Sequence, residues 1–110
     1  VADNPDMTAV FVTNYEMTMG AVIGMNELGL KIPEQLSVIG FDNLQFARAC
    51  NPKLTIVAQP TQGIAGEVAG IMLKRLEGAA SEETEPITEK LGAEIIMGKS
   101  VRVLDEKENL

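Results

Sequence analysis

Along the chain, short continuous apolar runs alternate with stretches of helical periodicity. Thr8 to Thr13 (TAVFVT) is rich in β-branched and aromatic residues with little polar interruption, the pattern of a strand covered on both faces in a parallel sheet. Asn14 follows as a good N-cap type, and Glu16 falls in the first helical turn, where the helix dipole favours an anion. From Tyr15 to Leu28 the period is helical. Met17, Ala21, Gly24, Met25 and Leu28 form one stripe, and Met19, Val22 and Ile23 a second apolar flank. Two apolar faces predict a helix covered on two sides. Gly20 and Gly24, each costing roughly 1 kcal/mol relative to Ala, predict close approach of a neighbouring element. Gly29 reads as the residue just past the helix end, and Pro33 prevents continuation.

Leu36 to Phe41 (LSVIGF) is a second buried-strand run, ending in Asp42-Asn43. Leu44 to Lys53 reads as a loop with room for one helical turn, closed by Asn51-Pro52. Leu54 to Ala58 is a third strand, ending at Gln59-Pro60. Thr61 is expected to cap a second helix with Ile64, Val68, Ile71, Met72 and Leu76 as its apolar stripe, Lys74 and Arg75 at its carboxyl end and Gly78 as terminator. Ala79 to Lys90 is an acidic linker. Leu91 to Gly98 returns to strand, with Leu91, Ala93, Ile95 and Met97 on one face, and Val101 to Leu104 is expected to add a further short strand. This order implies an α/β layer fold, a mostly parallel sheet with flanking helices. The chain divides into 1–59, a crossover helix and linker over 60–90, returning strands over 91–104 and a frayed tail over 105–110. Whether the two helices share a face is left open by the pattern.

Composition narrows the chemistry. With 16 Asp+Glu against 9 Lys+Arg the formal charge is -7, which argues against this segment gripping phosphate backbones. The absence of His and the single Cys exclude zinc sites, disulfide frameworks and Ser-His or Cys-His catalysis, and no metal or cofactor is expected. A lone Cys fits a reducing compartment, which favours the cytoplasm. No apolar run approaches the roughly 20 residues that span a bilayer. Val1-Ala2-Asp3-Asn4-Pro5 has neither signal-peptide nor initiator character and reads as an internal cut.

In open α/β sheets, ligands bind beyond the carboxyl ends of the strands. Three strands here end in polar side chains: Asn14, Asp42 and Gln59. Amides offer donors and acceptors and an ionised Asp accepts, a set suited to a polyhydroxylated neutral ligand, with Phe41 as an apolar face for a sugar ring. Each has a plainer reading. Asn14 serves equally as a helix cap, Asp42-Asn43 as an Asx-turn, Gln59 as an exposed loop residue, and Phe41 as core. Met17, Met19 and Met25 stand at helical spacing, where Met is ordinarily core or interface filler, and Cys50 reads as inert or interfacial. TMGAVIG and QGIAGEVAG match no phosphate-binding loop, and Glu82-Glu83 lacks apolar surroundings for acid catalysis.

The stretch TAVFVTNYEMTMGAVIGMNELGLKIPEQLSVIGFDN, followed by PKLTIVAQP and a final LGAEIIMGKSV, closely resembles the carboxyl-terminal part of lac-repressor (LacI/GalR) family transcription regulators. The ordered combination is specific and covers about Thr8 to about Val103. The resemblance implies a partial periplasmic-binding-protein-like fold: two α/β subdomains with a ligand in the cleft between them, of which this chain supplies mainly the carboxyl-terminal one. It implies that the helix from Thr61 packs on the absent subdomain, leaving its stripe partly uncovered. It assigns Asn14, Phe41, Asp42 and Gln59 to the effector site, with ribose or another pentose as first choice, and notes Tyr15 where most members carry Asp. It assigns the first helix and the loop after Asp42 to a homodimer contact, with Met19, Ile23, Phe46 and Cys50 as the contact residues. DNA would be bound by an amino-terminal helix-turn-helix absent from this chain. The expected function is the effector-binding and dimerisation part of a sugar-responsive repressor. The alternative is a periplasmic-type sugar-binding protein of a transport system. An enzyme using Asp42 lacks a second acidic residue on that strand end and any supporting base.

Overall fold

The computed structural model describes residues 3–78 and 86–105. Two compact units are present, one comprising Val1–Ala58 and Ile95–Leu110, the other Gln59–Glu94. Much of the expected acidic linker (79–85) and most of the tail (106–110) lie outside the described residues.

The first unit is built on strands β1 (Ala9–Phe11), β2 (Ser37–Phe41) and β3 (Thr55–Ala58), with helices α1 (Tyr15–Glu27) and α2 (Leu44–Ala49). β1 pairs in parallel with β2 (Val10 opposite Val38), and β2 in parallel with β3 (Gly40 opposite Ile56). A fourth strand, β4 (Glu94–Ile96), lies beside β3, giving the order β1-β2-β3-β4. The strands are shorter than the apolar runs that announce them, although Thr8 and Val12 still bond β2 at either end of β1, the Ser37 N–H donating to Thr8 O at 2.8 Å and the Val12 N–H to Ile39 O at 2.9 Å.

α1 starts and stops as its sequence dictates. Asn14 has extended backbone, and its Oδ1 accepts the Met17 N–H at 2.8 Å. At the other end Gly29 takes a left-handed φ of 73°, and Leu30 N–H donates to Met25 O at 2.9 Å while Gly29 N–H donates to Asn26 O at 3.2 Å. That pair of bonds closes the orphan carbonyls of the last turn.

The buried face of α1 differs from the expected stripe. Thr18, Val22 and Met25 are buried, while Met17 is 60% and Leu28 77% exposed. The deciding residue is Thr18. Its hydroxyl donates to Asn14 O at 2.6 Å, and its methyl stands where a side chain at Gly40 would be, 2.5 Å from an added Cβ. A threonine satisfied this way counts as apolar surface, which a hydropathy pattern does not register. Gly20 and Gly24 also depart from expectation, since a Cβ at either would meet nothing within 4 Å.

Leu44–Ala49 is a full short helix rather than one turn in a loop, capped by Asn43. Val22 and Met25 from α1, Ala47 from α2, and Leu36, Val38, Leu54 and Ile56 from the sheet region form one core cluster. Burying such side chains contributes roughly 1.5–3 kcal/mol each.

The returning segment also departs from the sequence reading. β4 covers three residues, and Ile96 rather than Ile95 packs on the core; Ile95 is 65% and Met97 73% exposed. The register is set one residue later. Gly98 passes so close to Lys53 and Leu54 that an added Cβ would lie 2.4 Å from the Lys53 carbonyl oxygen, and Gly98 N–H donates to Thr55 Oγ1 at 2.9 Å. Residues 101–104 are not a strand. Instead Ser100, fully buried, bridges β2 and β3: its hydroxyl donates to Val38 O and accepts the Thr55 N–H at 2.8 Å, and its carbonyl accepts the Val38 N–H at 2.9 Å.

The second unit contains α3 (Thr61–Leu76). Pro60 occupies the cap position with no side-chain hydrogen bond, and Thr61 is the first helical residue rather than the cap. None of its residues is buried, and Val68, Met72 and Leu76 are 58%, 54% and 75% exposed.

Candidate functional site

β1, β2 and β3 run in parallel, so their carboxyl ends lie along one edge. Neighbouring strands stand about 4.8 Å apart, which places the residues just beyond β1 and β2 on adjoining positions. Beyond β1 stands Asn14, exposed. Because its Oδ1 faces the Met17 N–H, the amide presents its NH2 as the outward end, a pure donor. Beyond β2 stands Asp42, half-buried, whose backbone N–H donates to Val57 O at 2.9 Å. Its carboxylate supplies acceptors only. Phe41, the last residue of β2, is half-buried on the sheet face opposite the Gly40–Thr18 contact, along with Ile39 and Val57.

The backbone at this edge is unusual. Asp42 and Asn43 both take left-handed φ, 62° and 57°, without being glycine. Such positions cost of order 1–3 kcal/mol each and persist where the surroundings over-determine them. Asp and Asn tolerate the region better than other non-glycine residues, which is why this turn needs no Gly. The plainer reading of Asn14 as a cap is realised, and Asn43, expected with Asp42 in an Asx-turn, caps α2. Asn43 Oδ1 accepts the Phe46 N–H at 2.9 Å. For Asn14, capping and ligand contact are compatible, since they use opposite ends of one amide.

Gln59 follows β3 directly but is the first residue of the second unit. It is exposed, and its carbonyl accepts the Thr61 N–H at 2.9 Å. The first unit therefore carries three of the four candidates, Asn14, Phe41 and Asp42.

The four residues expected at a dimer contact gather on the α1–α2 side of the first unit. Ile23, Phe46 and Cys50 line one groove of about 310 Å³ with Val22, Ala49 and Pro52. Met19 reaches it through Tyr15, whose hydroxyl donates to Met19 Sδ at 3.7 Å and whose ring meets Phe46 edge-on at 5.5 Å and 71°. Tyr15 thus packs against α2, a role that the sequence reading did not assign it. Burial pushes the Cys50 thiol above the ordinary cysteine range, so it stays protonated at neutral pH. Among the described residues no group of three or more His, Cys, Asp or Glu side chains could hold a metal ion, and no helix is long and apolar enough to cross a membrane.

A parallel sheet with ligand-type polar residues along its carboxyl edge defines a class, and the chain belongs to it: it matches the periplasmic binding protein-like domain family over residues 1–101. It is 39% identical over 94 residues to the HTH-type transcriptional repressor PurR of Yersinia enterocolitica, an overlap of 86% of this chain and 27% of that repressor. The fold superposes with a TM-score of 0.77 on a LacI family transcriptional regulator from Enterococcus faecalis with bound ribose, at 33% identity, covering 89% of this chain and 36% of that one. It superposes with a TM-score of 0.79 on the transcriptional regulator CelR in complex with cellobiose, at 29% identity, covering 90% of this chain and 29% of that one. The chain spans about a quarter of the length of the curated relatives it matches, 27%. Within its family it is the carboxyl-terminal part of a LacI-type effector-binding domain.

Proposed function

We propose that this segment supplies one wall of the effector site, and the dimer contact, of a cytoplasmic sugar-responsive transcriptional repressor, with ribose or another pentose as effector. The observation that carries this reading is the pairing at one sheet edge of a fixed amide donor, Asn14, with a carboxylate acceptor, Asp42, beside the Phe41 ring. A sugar hydroxyl donates and accepts at once, so it is met by a donor and an acceptor on neighbouring strands. The ribose-bound regulator at 33% identity supports a pentose, and the three relatives described are all regulators, which favours this reading over transport. Control is by linkage: the effector binds one arrangement of the protein better than another, and that difference biases the separate DNA-binding heads.

Titration of the whole regulator with D-ribose tests the site. Asp42→Ala removes a charged acceptor and is expected to weaken binding about 100-fold with operator binding intact. Retained response to every effective sugar would remove Asp42 from the site. The dimer contact has its own test. Met19→Glu places a charge on the α1 flank and is expected to shift the protein to monomers in sedimentation. An unchanged oligomeric state would withdraw the assignment.

A further inference from the structure

Two candidate effector residues of the first unit, Asn14 and Asp42, are each followed at once by a residue that reaches Phe46. Asn14 is succeeded by Tyr15, whose ring meets Phe46 edge-on. Asp42 is succeeded by Asn43, whose Oδ1 accepts the Phe46 N–H. Phe46 is therefore held from both directions, by its ring from the Asn14 side and by its backbone from the Asp42 side. We propose that Tyr15 and Asn43 are positioning residues that, through Phe46, set the spacing of Asn14 and Asp42 and so tune effector affinity. This rests on the reading of Asn14 and Asp42 as effector contacts.

The left-handed pair Asp42-Asn43 shows why such a device is needed. A strained turn keeps its shape only while both sides are anchored. Before the turn, the Asp42 N–H is tied to Val57 O at 2.9 Å. After it, the anchor is the Asn43 cap on α2 at 2.9 Å. Loss of that cap removes the anchor that α2 gives to the backbone carrying the Asp42 carboxylate. The Tyr15 ring, steadied by its hydroxyl on Met19 Sδ at 3.7 Å, limits how far the first turn of α2 can move from that of α1.

The test is calorimetric titration of the whole regulator with D-ribose, D-xylulose and cellobiose, with thermal unfolding measured alongside. Asn43→Ala is expected to weaken sugar binding by about fivefold or more, the scale of a lost cap. Asn43→Asp keeps the capping oxygen and tolerates the backbone, and should restore affinity to within about twofold. Asn43→Gly tolerates the backbone but lacks the capping oxygen, and should bind between Asn43→Ala and Asn43→Asp. Tyr15→Leu should weaken binding by a few-fold, and its combination with Asn43→Ala should cost less than the product of the two, since both act on Phe46. Ile56→Val, in the core, serves as control: it should lower the melting temperature with affinity unchanged, which a purely structural role for Asn43 would mimic. If Asn43→Ala and Tyr15→Leu bind as the parent does while Asp42→Ala does not bind, positioning is overturned and the effector site stands. If the parent binds none of the three sugars, the effector reading falls and takes this inference with it.

Discussion

At the amino ends of β2 and β3 the protein closes its own backbone. Ser100 inserts between them, meeting Val38 O, Val38 N–H and Thr55 N–H, and Gly98 lies against the Lys53 and Leu54 carbonyls. At the carboxyl ends of β1 and β2 the chain does the reverse: Asn14 is left exposed and Asp42-Asn43 is held in left-handed backbone. The sealed end satisfies buried polar groups without reference to any ligand, while the open end keeps donors, acceptors and strain in place. On the proposed function, stability and recognition fall to opposite ends of one small sheet.

Substitutions at the two ends separate the roles. The largest effect is expected from Ser100→Ala, which strands the buried Thr55 N–H and a Val38 carbonyl lone pair and should cost roughly 2–4 kcal/mol in chemical denaturation. Sugar affinity of the folded regulator should stay at the parental value; a matching loss of affinity would break the division. Asp42→Gly runs the opposite way. Glycine adopts φ near 62° without strain but enlarges the unfolded ensemble and gives up the Asp42 side-chain contacts, so stability should change by less than about 1 kcal/mol while sugar binding is lost. An Asp42→Gly variant destabilised further would show that the carboxylate also supports the fold. The smallest effect on stability belongs to Asn14→Ser. Serine caps α1 as well as asparagine does, so stability should change by less than about 0.5 kcal/mol. It cannot supply the outward NH2, so affinity for D-ribose should fall several-fold in the same titration. Unchanged affinity would reduce Asn14 to a cap.

Much of the fold was legible because its signals are local. Asn14, Gly29 and the runs AVF, SVIGF and TIVA identify caps and strands from neighbouring residues alone. The buried face of α1 was not, because Thr18 is polar by type and becomes core only after Asn14 O takes its hydroxyl proton and Gly40 makes room for its methyl. β4 misleads for another reason. Alternation of Leu91, Ala93, Ile95 and Met97 against Gly92, Glu94 and Gly98 favours Ile95; the contact at Gly98 selects Ile96 instead, and its partner lies 43 residues away in sequence. Ser100 carries no hydrophobic signal, and its hydroxyl meets an acceptor 62 positions earlier. At the candidate site the residue types of Asn14 and Asp42 could be read from strand-end position. The left-handed backbone and the role of Tyr15 could not, since both depend on where α2 comes to rest.

Ser100 also fixes an order of events during synthesis. Its hydroxyl closes on a Thr55 amide made 45 residues before it. At about 5–20 residues per second, a ribosome takes roughly 2–9 s to cover that distance. For that interval the nascent β2–β3 pair waits unsealed, an opening through which a chaperone or a neighbouring chain can reach it.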